Sequence, residues 1–249
     1  MSKDIIGISI GSKNTVLGTY KKGCFQVVLS QTSSRVIPTV ISYNNKERNY
    51  GDISQNKNRA NYKNTVIYPN RWLGIKTNSP IYNEESKYAN LPPKKDNNNN
   101  LAFNINFKGK KEFYSPECLM GLFFNKIKNV WLNESINTSD VVVSIPDYST
   151  VQERKAMLES VLIGGLNCTS LLNESSAISL AYGFQKLKEF QDDTPPRLVS
   201  FIDLGHSQTT IFFAEFTKKL VKIVSVSTER FCGAREFDYL IAEQIAYEF

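Results

Sequence analysis

The sequence contains few of the residues that would mark a metal centre or a disulfide scaffold. It has one histidine, His206, and its four cysteines are widely spaced without a Cys-x-x-Cys pair. This pattern argues against a zinc site and a disulfide framework, and it favours a reducing compartment, for which the cytosol is the default. No apolar run approaches the length of a membrane span, and the chain enters a strand almost at once, without the apolar core of a secretory signal.

Dense basic blocks are also absent. The net charge of +6 is spread along the 249 residues, which indicates solvated faces rather than a nucleic-acid-binding surface. With 41% hydrophobic and 22% charged residues, the composition is ordinary for a globular protein that contains one large or two modest cores.

Two stretches of the chain share a pattern of strand, glycine turn and returning strand. In the first, Asp4 to Ile10 precedes the turn Gly11-Ser12-Lys13-Asn14, and Thr15 to Tyr20 returns. In the second, Val199 to Ile202 precedes Asp203 and Gly205, and Thr209 to Phe216 returns. A lysine pair and a third strand follow each time, at Phe25 to Leu29 and at Val221 to Val226. The repeat predicts two similar lobes.

A glycine turn of this kind lets successive backbone N–H groups face an anion, and an acid beside it can hold metal-bound waters. Asp-Leu-Gly sequences also form ordinary hairpin turns without a ligand. Two such turns facing each other would clamp a polyphosphate from both sides. Because the sequence stops at Phe249, soon after the second repeat, we expect a fragment of a longer protein.

The region between the first repeat and Lys111 is predicted to be a subdomain inserted at residues 38–111. Pro38 to Tyr43 continues as a strand, and Lys57 to Leu73 could carry a short helix broken at Pro69. The polar stretch from Asn78 to Asn106, with the run Asn97 to Asn100, is typical of a surface insertion.

Regular structure is predicted to resume at Ser115-Pro116-Glu117, where a capping serine and an N1 proline begin a helix. The segments that follow are a strand at Asp140 to Ile145, a helix at Thr150 to Leu162, a strand at Cys168 to Leu172, a helix at Glu174 to Lys188 and a linker at Gln191 to Pro196. This order predicts a mixed α/β layer with helices covering a sheet.

The same order resembles the actin-like ATPase fold, and the sequence itself is most similar to the 70-kDa heat-shock chaperone superfamily. The matching stretches are Asn64-Thr65-Val66, Arg71-Trp72-Leu73-Gly74, Gly165-Leu166-Asn167, Asn173-Glu174, Ala181-Tyr182-Gly183 and Phe237-Asp238. Ordinary members carry three glycines where this chain has Gly205-His206-Ser207. That turn, with Gly165-Leu166-Asn167-Cys168 and Pro195-Pro196-Arg197, resembles the 110-kDa branch, whose members act chiefly as nucleotide exchange factors and holdases.

The resemblance implies an actin-like ATPase (duplicated ribonuclease H-like) α/β fold. Lobe I would comprise residues 1–190, the linker 191–196, and an incomplete lobe II 197–249. The resemblance also implies ATP or ADP with Mg²⁺ as ligands, and a 70-kDa chaperone and unfolded clients as partners. A cytoplasmic stress-response protein that binds neither nucleic acid nor membrane is expected.

Site residues follow from the same resemblance. Glu174 and Asp203 match acids around the magnesium ion and the attacking water, although each could be an ordinary helix-start or turn acid. Matches to phosphate-contacting or nucleotide-contacting residues are Gly11, Ser12, Gly205, His206, Ser207 and Gly233, where Ala234 replaces a second glycine. Lys13 is new in the first turn and would bring a cation close to the position of the missing acid, where it could partly substitute for the charge of the metal. His206 could equally be a simply exposed side chain.

Four departures predict a weak or inactive hydrolase. Ser9 stands where the family has an acid, Asn70 where it has a lysine, Gln208 where it has a threonine and Thr210 where it has a second acid. Magnesium needs carboxylates to orient its waters, and a neutral Asn70 offers no charge to a transferring phosphoryl group. Three interpretations stay open: an exchange factor, a weak ATPase using Glu174 and Asp203 alone, and a less favoured actin-like or sugar-kinase-like protein.

Overall fold

A computed structural model describes residues 4–21, 23–97, 99–190 and 195–249. The strands among them are β1 Ile6–Ile10, β2 Asn14–Lys21, β3 Cys24–Val27, β4 Ile37–Pro38, β5 Val40–Tyr43, β6 Arg48–Tyr50, β7 Thr65–Ile67, β8 Lys94–Lys95, β9 Leu101–Phe107, β10 Lys110–Tyr114, β11 Asp140–Ile145, β12 Asn167–Asn173, β13 Arg197–Leu204, β14 Thr209–Phe216 and β15 Val221–Glu229. The helices are α1 Asp52–Lys57, α2 Pro80–Tyr88, α3 Pro116–Asn133, α4 Val151–Ile163, α5 Glu174–Gln185 and α6 Ala234–Glu248. The predicted mixed α/β architecture is confirmed.

The chain divides into two compact units, and the first comprises residues 1–143 and 149–171. Its main sheet has the strand order β12-β11-β1-β2-β3, and β4 also pairs with β2. Side chains alternate along β1, with Ile6, Ile8 and Ile10 buried and Ser9 exposed. This alternation follows from the period of two residues in a strand, and it keeps Ser9 out of the core.

The helices α3 and α4 begin where the sequence predicts. Ser115 Oγ accepts a hydrogen bond from the Cys118 N–H at 3.1 Å, and Pro116 is the first helical residue. Thr150 and Glu153 form a reciprocal capping box at the start of α4. Because each cap satisfies backbone N–H groups that a helix start leaves unpaired, these boundaries were readable locally.

The predicted helix over Lys57 to Leu73 is wrong. That segment contains a 3₁₀ turn at Tyr62–Asn64, strand β7, and a second 3₁₀ turn at Pro69–Trp72. Val66 and its neighbours pair with Val40 to Ser42 of β5 instead of continuing a helix. The β-branched residues of Thr65–Ile67 favour this strand, and the partner lies too far along the chain for local periodicity to reveal it.

The polar stretch from Asn78 to Asn106 is more regular than expected, since it contains α2, β8 and most of β9. The sheet β10-β9-β8 and the sheet β6-β5-β7 both form within the first unit. In the asparagine-rich run, Asn100 N–H donates to Asp96 Oδ1 at 2.8 Å, while Asn98 lies outside the described residues.

The second unit comprises residues 144–148 and 172–249. Its sheet has the order β13-β14-β15, and α5 packs beside it through an aromatic cluster. Phe216 contacts Phe190 and Tyr182, with ring centroids 5.9 and 5.0 Å away, and Phe201 stacks on Phe212 at 4.7 Å. Burial of such rings is the main apolar contribution to this core.

In the second part of the chain, one helix was not predicted from the sequence, and one predicted segment falls largely outside the described residues. Helix α6 was not predicted, although Glu236 caps it by accepting the Gly233 N–H at 2.8 Å. The predicted linker Gln191 to Pro196 falls largely on Gln191–Thr194, which lie outside the described residues, so the division at 190 and 197 stays a prediction.

Candidate functional site

The first turn joins β1 to β2 in the first unit. The Gly11 N–H donates to the Asn14 carbonyl at 2.9 Å, and a Cβ atom on Gly11 would lie 2.7 Å from that oxygen. Only glycine fits this approach without a backbone shift. Ser12 is half-buried and Lys13 is exposed on the same turn.

Thr39 orients the peptide groups of this turn. Its N–H donates to the Lys13 carbonyl at 2.9 Å, and its hydroxyl donates to the Gly11 carbonyl at 3.1 Å. In a planar trans peptide the C=O and the following N–H point in opposite directions. The N–H groups of Ser12 and Asn14 therefore point away from Thr39, the orientation that anion binding by the turn requires. Sequence reasoning missed Thr39, which carries no local signal.

Asn70 is tied to the same region through the backbone. The Tyr68 N–H donates to the Thr39 carbonyl at 3.3 Å, and Tyr68 has a left-handed backbone with φ of 55°. The 3₁₀ turn that follows carries Asn70, whose Oδ1 atom is buried without a hydrogen bond in the described part of the chain. Beside it, Arg71 Nε donates to Glu85 Oε1 at 2.6 Å in a buried ion pair that fixes the turn.

The second turn repeats the geometry of the first. The Gly205 N–H donates to the Gln208 carbonyl at 2.8 Å, and a Cβ atom there would lie 3.1 Å from that oxygen. Ser207 is fully buried and His206 is half-buried. The predicted structural repeat of the two turns is confirmed.

The start of α6 orients the peptide groups of the second turn, as Thr39 orients those of the first. The Ala234 N–H donates to the Gly205 carbonyl at 3.0 Å, and the Arg235 N–H donates to the His206 carbonyl at 2.8 Å. The N–H groups of His206 and Ser207 therefore point away from α6. Gly233 allows the contact, because a Cβ atom on it would lie 2.6 Å from the Ser207 nitrogen.

Glu174 is the first residue of α5, and a side chain of the second turn already contacts it. Gln208 Nε2 donates to Glu174 Oε2 at 2.8 Å, and Tyr148 OH donates to Gln208 Oε1 at 2.8 Å. The Arg230 guanidinium lies 4.7 Å from the centre of the Tyr148 ring. Neither Tyr148 nor Arg230 was among the predicted site residues, although Tyr148 follows a buried strand and a proline, where site residues are common.

Asp203 and Thr210 lie opposite each other in the register of β13 and β14. Burial raises the pKa of the Asp203 carboxyl above its ordinary value. Thr210 is buried, and its hydroxyl is hydrogen-bonded to that of Thr228 at 3.1 Å. A nearby acid absent from the predicted set, Asp147, accepts hydrogen bonds from both the N–H and the hydroxyl of Ser175.

The role of Glu174 and Asp203 at a magnesium ion stays a prediction. Among the residues that the structure describes, no group of three or more histidine, cysteine, aspartate or glutamate side chains is arranged to hold a metal ion. Glu174 is bonded to an amide, and the raised pKa of Asp203 reflects surroundings that oppose its charge. Within the described ranges, no helix is long and apolar enough to span a membrane.

The family model described as Hsp70 protein matches residues 5–249. The chain belongs to the Hsp70 family. This membership implies the actin-like ATPase fold and a nucleotide-binding domain.

Individual relatives identify the branch of this Hsp70-family chain. It is 29% identical over 244 residues to a heat shock protein homolog of Lachancea kluyveri, covering 98% of this chain and 35% of the relative. It is 27% identical over 246 residues to the 97 kDa heat shock protein of Strongylocentrotus purpuratus, covering 98% and 28%. Heat shock protein 88 of Dictyostelium discoideum is 29% identical over 248 residues, covering 98% and 32%. The resemblance to the larger, 110-kDa branch is confirmed, and the chain spans about a third of the length of these relatives.

Proposed function

We propose that this chain is the nucleotide-binding part of a 110-kDa-type co-chaperone. The whole protein would act as a nucleotide exchange factor and holdase for a 70-kDa heat-shock chaperone, with unfolded proteins as its clients. Membership of the Hsp70 family and similarity to the heat shock protein homologs of Lachancea kluyveri and Saccharomyces cerevisiae support this proposal. Cytoplasmic location and a role in the stress response belong to the same proposal.

One observation carries the proposal: both glycine turns have the same geometry, while four nearby positions lack the groups that the family resemblance implies for catalysis. Each turn is held by hydrogen bonds to its carbonyls, from Thr39 in one case and from the start of α6 in the other. By contrast, Gln208 contacts Glu174, and Thr210 offers a hydroxyl in place of a charge. A protein that holds a partner in one conformation needs a defined surface and no turnover of its own.

The residue roles remain those that the family resemblance implies. The turn residues Gly11, Ser12, Lys13, Gly205, His206 and Ser207, with Gly233 behind them, are the proposed phosphate contacts for ATP or ADP. The N–H groups of Ser12, His206 and Ser207 are suited to an anion because the carbonyl before each is bonded elsewhere, which turns the N–H away from that contact. The N–H groups of Gly11 and Gly205 donate within their own turns. Glu174 and Asp203 would be the remaining acids, and Ser9, Asn70, Gln208 and Thr210 the positions where catalytic groups are lost.

A weak ATPase is the second candidate function. It is favoured by one observation, the retention of Glu174 and Asp203 in one compact unit. Under this hypothesis the full-length protein would hydrolyse ATP slowly with magnesium, and Glu174→Gln would abolish that activity. Single-turnover hydrolysis of radiolabelled ATP distinguishes the two functions, because an exchange factor of the proposed kind requires no such activity.

Release of a fluorescent ADP analogue from a 70-kDa chaperone tests the main proposal. We expect the full-length protein to accelerate release by about 5- to 150-fold, the range of ordinary coupling between two binding sites. Stopped-flow fluorescence with excess unlabelled ATP measures the rate, and serum albumin at equal concentration is the control. An unchanged release rate would refute exchange activity. Suppression of client aggregation in the same preparation would then leave only the holdase role.

A further inference from the structure

Gln208 lies between a tyrosine and a carboxylate, and both of its polar groups are used. Nε2 donates to Glu174 Oε2 and Oε1 accepts from Tyr148 OH, each at 2.8 Å. We call this arrangement the Gln208 bridge. All three residues belong to the second unit, and all three are half-buried.

The partners decide the orientation of the amide. An ionised carboxylate only accepts hydrogen bonds, so the Gln208 NH₂ group must face Glu174. The Gln208 oxygen must then face Tyr148, whose hydroxyl has a hydrogen to donate. Because each side of the amide meets the complementary group, the bridge is a specific arrangement.

Tyr148 is itself held in place. The Arg230 guanidinium lies 4.7 Å from the centre of its ring, within the range of a cation–π interaction. Asp147, the preceding residue, accepts the N–H and hydroxyl of Ser175, the residue after Glu174. The segments carrying Tyr148 and Glu174 are therefore joined twice, once directly and once through Gln208.

A shorter side chain could not form this bridge. The glutamine amide lies two methylene groups beyond the backbone, whereas a threonine hydroxyl is attached directly to Cβ. With threonine at position 208, the amide donor to Glu174 Oε2 would be absent, so a metal-bound water would no longer compete with it for that oxygen.

We infer that the Gln208 bridge makes nucleotide binding by this chain independent of magnesium, since the amide takes the acceptor oxygen on Glu174 that a metal-bound water would use. This inference rests on the proposed binding of ATP or ADP. Two observations outside the bridge agree with it: no carboxylate cluster forms among the described residues, and Thr210 is engaged with Thr228.

The affinity of the full-length protein for a fluorescent ADP analogue, measured in EDTA and in millimolar Mg²⁺, is the first test. The wild-type affinity should be the same in both, whereas Gln208→Thr should bind more tightly with magnesium. We expect a gain of about 10- to 100-fold, the usual effect of groups that orient a metal's ligands. Tyr148→Phe keeps the ring but removes the hydroxyl that fixes the amide, so it should change the affinity in the same direction by a smaller factor.

The matched control is Gln26→Thr, the same replacement on the exposed strand β3. It should leave the affinity unchanged in both buffers. Tighter wild-type binding with magnesium, or no magnesium dependence in both Gln208→Thr and Tyr148→Phe, would overturn the inference.

Binding of Mn²⁺ without nucleotide, followed by electron paramagnetic resonance, separates this inference from the proposed function. Failure of wild-type protein to bind ADP in either buffer would refute nucleotide binding. In that case, binding of Mn²⁺ in the absence of nucleotide is the remaining test of the Gln208 bridge. We expect Gln208→Thr to gain a Mn²⁺ site that Glu174→Gln removes, and the wild-type protein to lack one. A wild-type Mn²⁺ site that Glu174→Gln abolishes would contradict the inference.

Discussion

Asp203 and Ser9 occupy corresponding positions, since each lies two residues before the glycine of its turn. In β1 the position is exposed and carries a neutral hydroxyl, while in β13 it is half-buried and carries a carboxyl. Burial raises the pKa of Asp203 because charge is poorly solvated there. The second turn therefore has a titratable carboxyl group at the position where the first turn has a neutral hydroxyl group.

Asp203→Asn should stabilise the protein at neutral pH. Because the folded-state pKa of Asp203 is raised, its contribution to stability is fully present below the unfolded pKa of about 3.9 and is lost as the pH rises through the folded pKa. Asparagine keeps the shape without the charge, so the variant should unfold at a higher urea concentration than wild type at pH 7. The two proteins should converge below about pH 3, where the carboxyl is protonated in both the folded and the unfolded state.

Asp238→Asn is the control for this prediction, since it removes an exposed carboxylate from α6. Urea unfolding followed by far-ultraviolet circular dichroism at several pH values measures the difference. If the gain from Asp203→Asn were equally large at low and neutral pH, burial of its charge would not be the cause.

The residues of the two turns could be predicted from sequence because the glycine, its neighbours and the strands around them are contiguous. The contacts around Glu174 could not. Gln208 lies 34 residues from Glu174 and 60 from Tyr148. The turn between β13 and β14, the start of α5 and the segment after β11 meet only in the folded chain. The sequence indicates that glutamine replaces the family's threonine at position 208. It does not predict the hydrogen bonds that Gln208 forms with Glu174 and Tyr148.

Helices α3 and α4 and strands β11 and β14 show what local signals can predict. Ser115 and Thr150 cap their helices through side chains, and the apolar runs at Asp140–Ile145 and Thr209–Phe216 match strands residue for residue. Strand β7 could not be predicted from local signals, because its formation depends on pairing with the distant strand β5. Helix α6 was missed although Glu236 provides a cap, because its first turns contain no serine, threonine or proline signal.

Helix α6 meets the second turn at Gly233, so Gly233→Ala tests that contact. The added Cβ would lie 2.6 Å from the His206 carbonyl carbon and 2.7 Å from the Gln208 nitrogen. These are backbone atoms, so the turn itself must shift. We expect a loss of about 1–3 kcal/mol of stability, the usual cost of overpacking.

Gly7→Ala is the matched control, because a Cβ there would meet only the Gly18 carbonyl at an ordinary 3.7 Å. Urea unfolding gives the free energies, and amide chemical shifts of residues 205–208 report the turn. Equal effects of the two substitutions, or unchanged shifts in Gly233→Ala, would show that the turn accommodates the methyl group.

At the scale of the whole molecule, the second unit has a sheet with apolar residues on both faces. One face carries Phe201 and Phe212 and packs in the aromatic cluster. On the other, Ile202 lies directly opposite Ile211, with the two side chains 74% and 43% exposed. Leu198, Leu204 and Phe213 extend this apolar surface. Strands that are apolar on both faces are typical of sheets covered on both sides, and exposed surfaces of this kind promote association.

The isolated 249-residue chain should therefore self-associate through this face, and Ile202→Lys should reduce the association. A lysine places a charge beside Ile211, which would be costly to bury between two apolar surfaces. Leu162→Lys is the matched control, since Leu162 is also 74% exposed but lies on α4 in the first unit. Sedimentation velocity over a range of concentrations measures the oligomeric state. A monomeric wild-type chain at all concentrations, or equal effects of the two lysine substitutions, would show that this sheet face does not drive association.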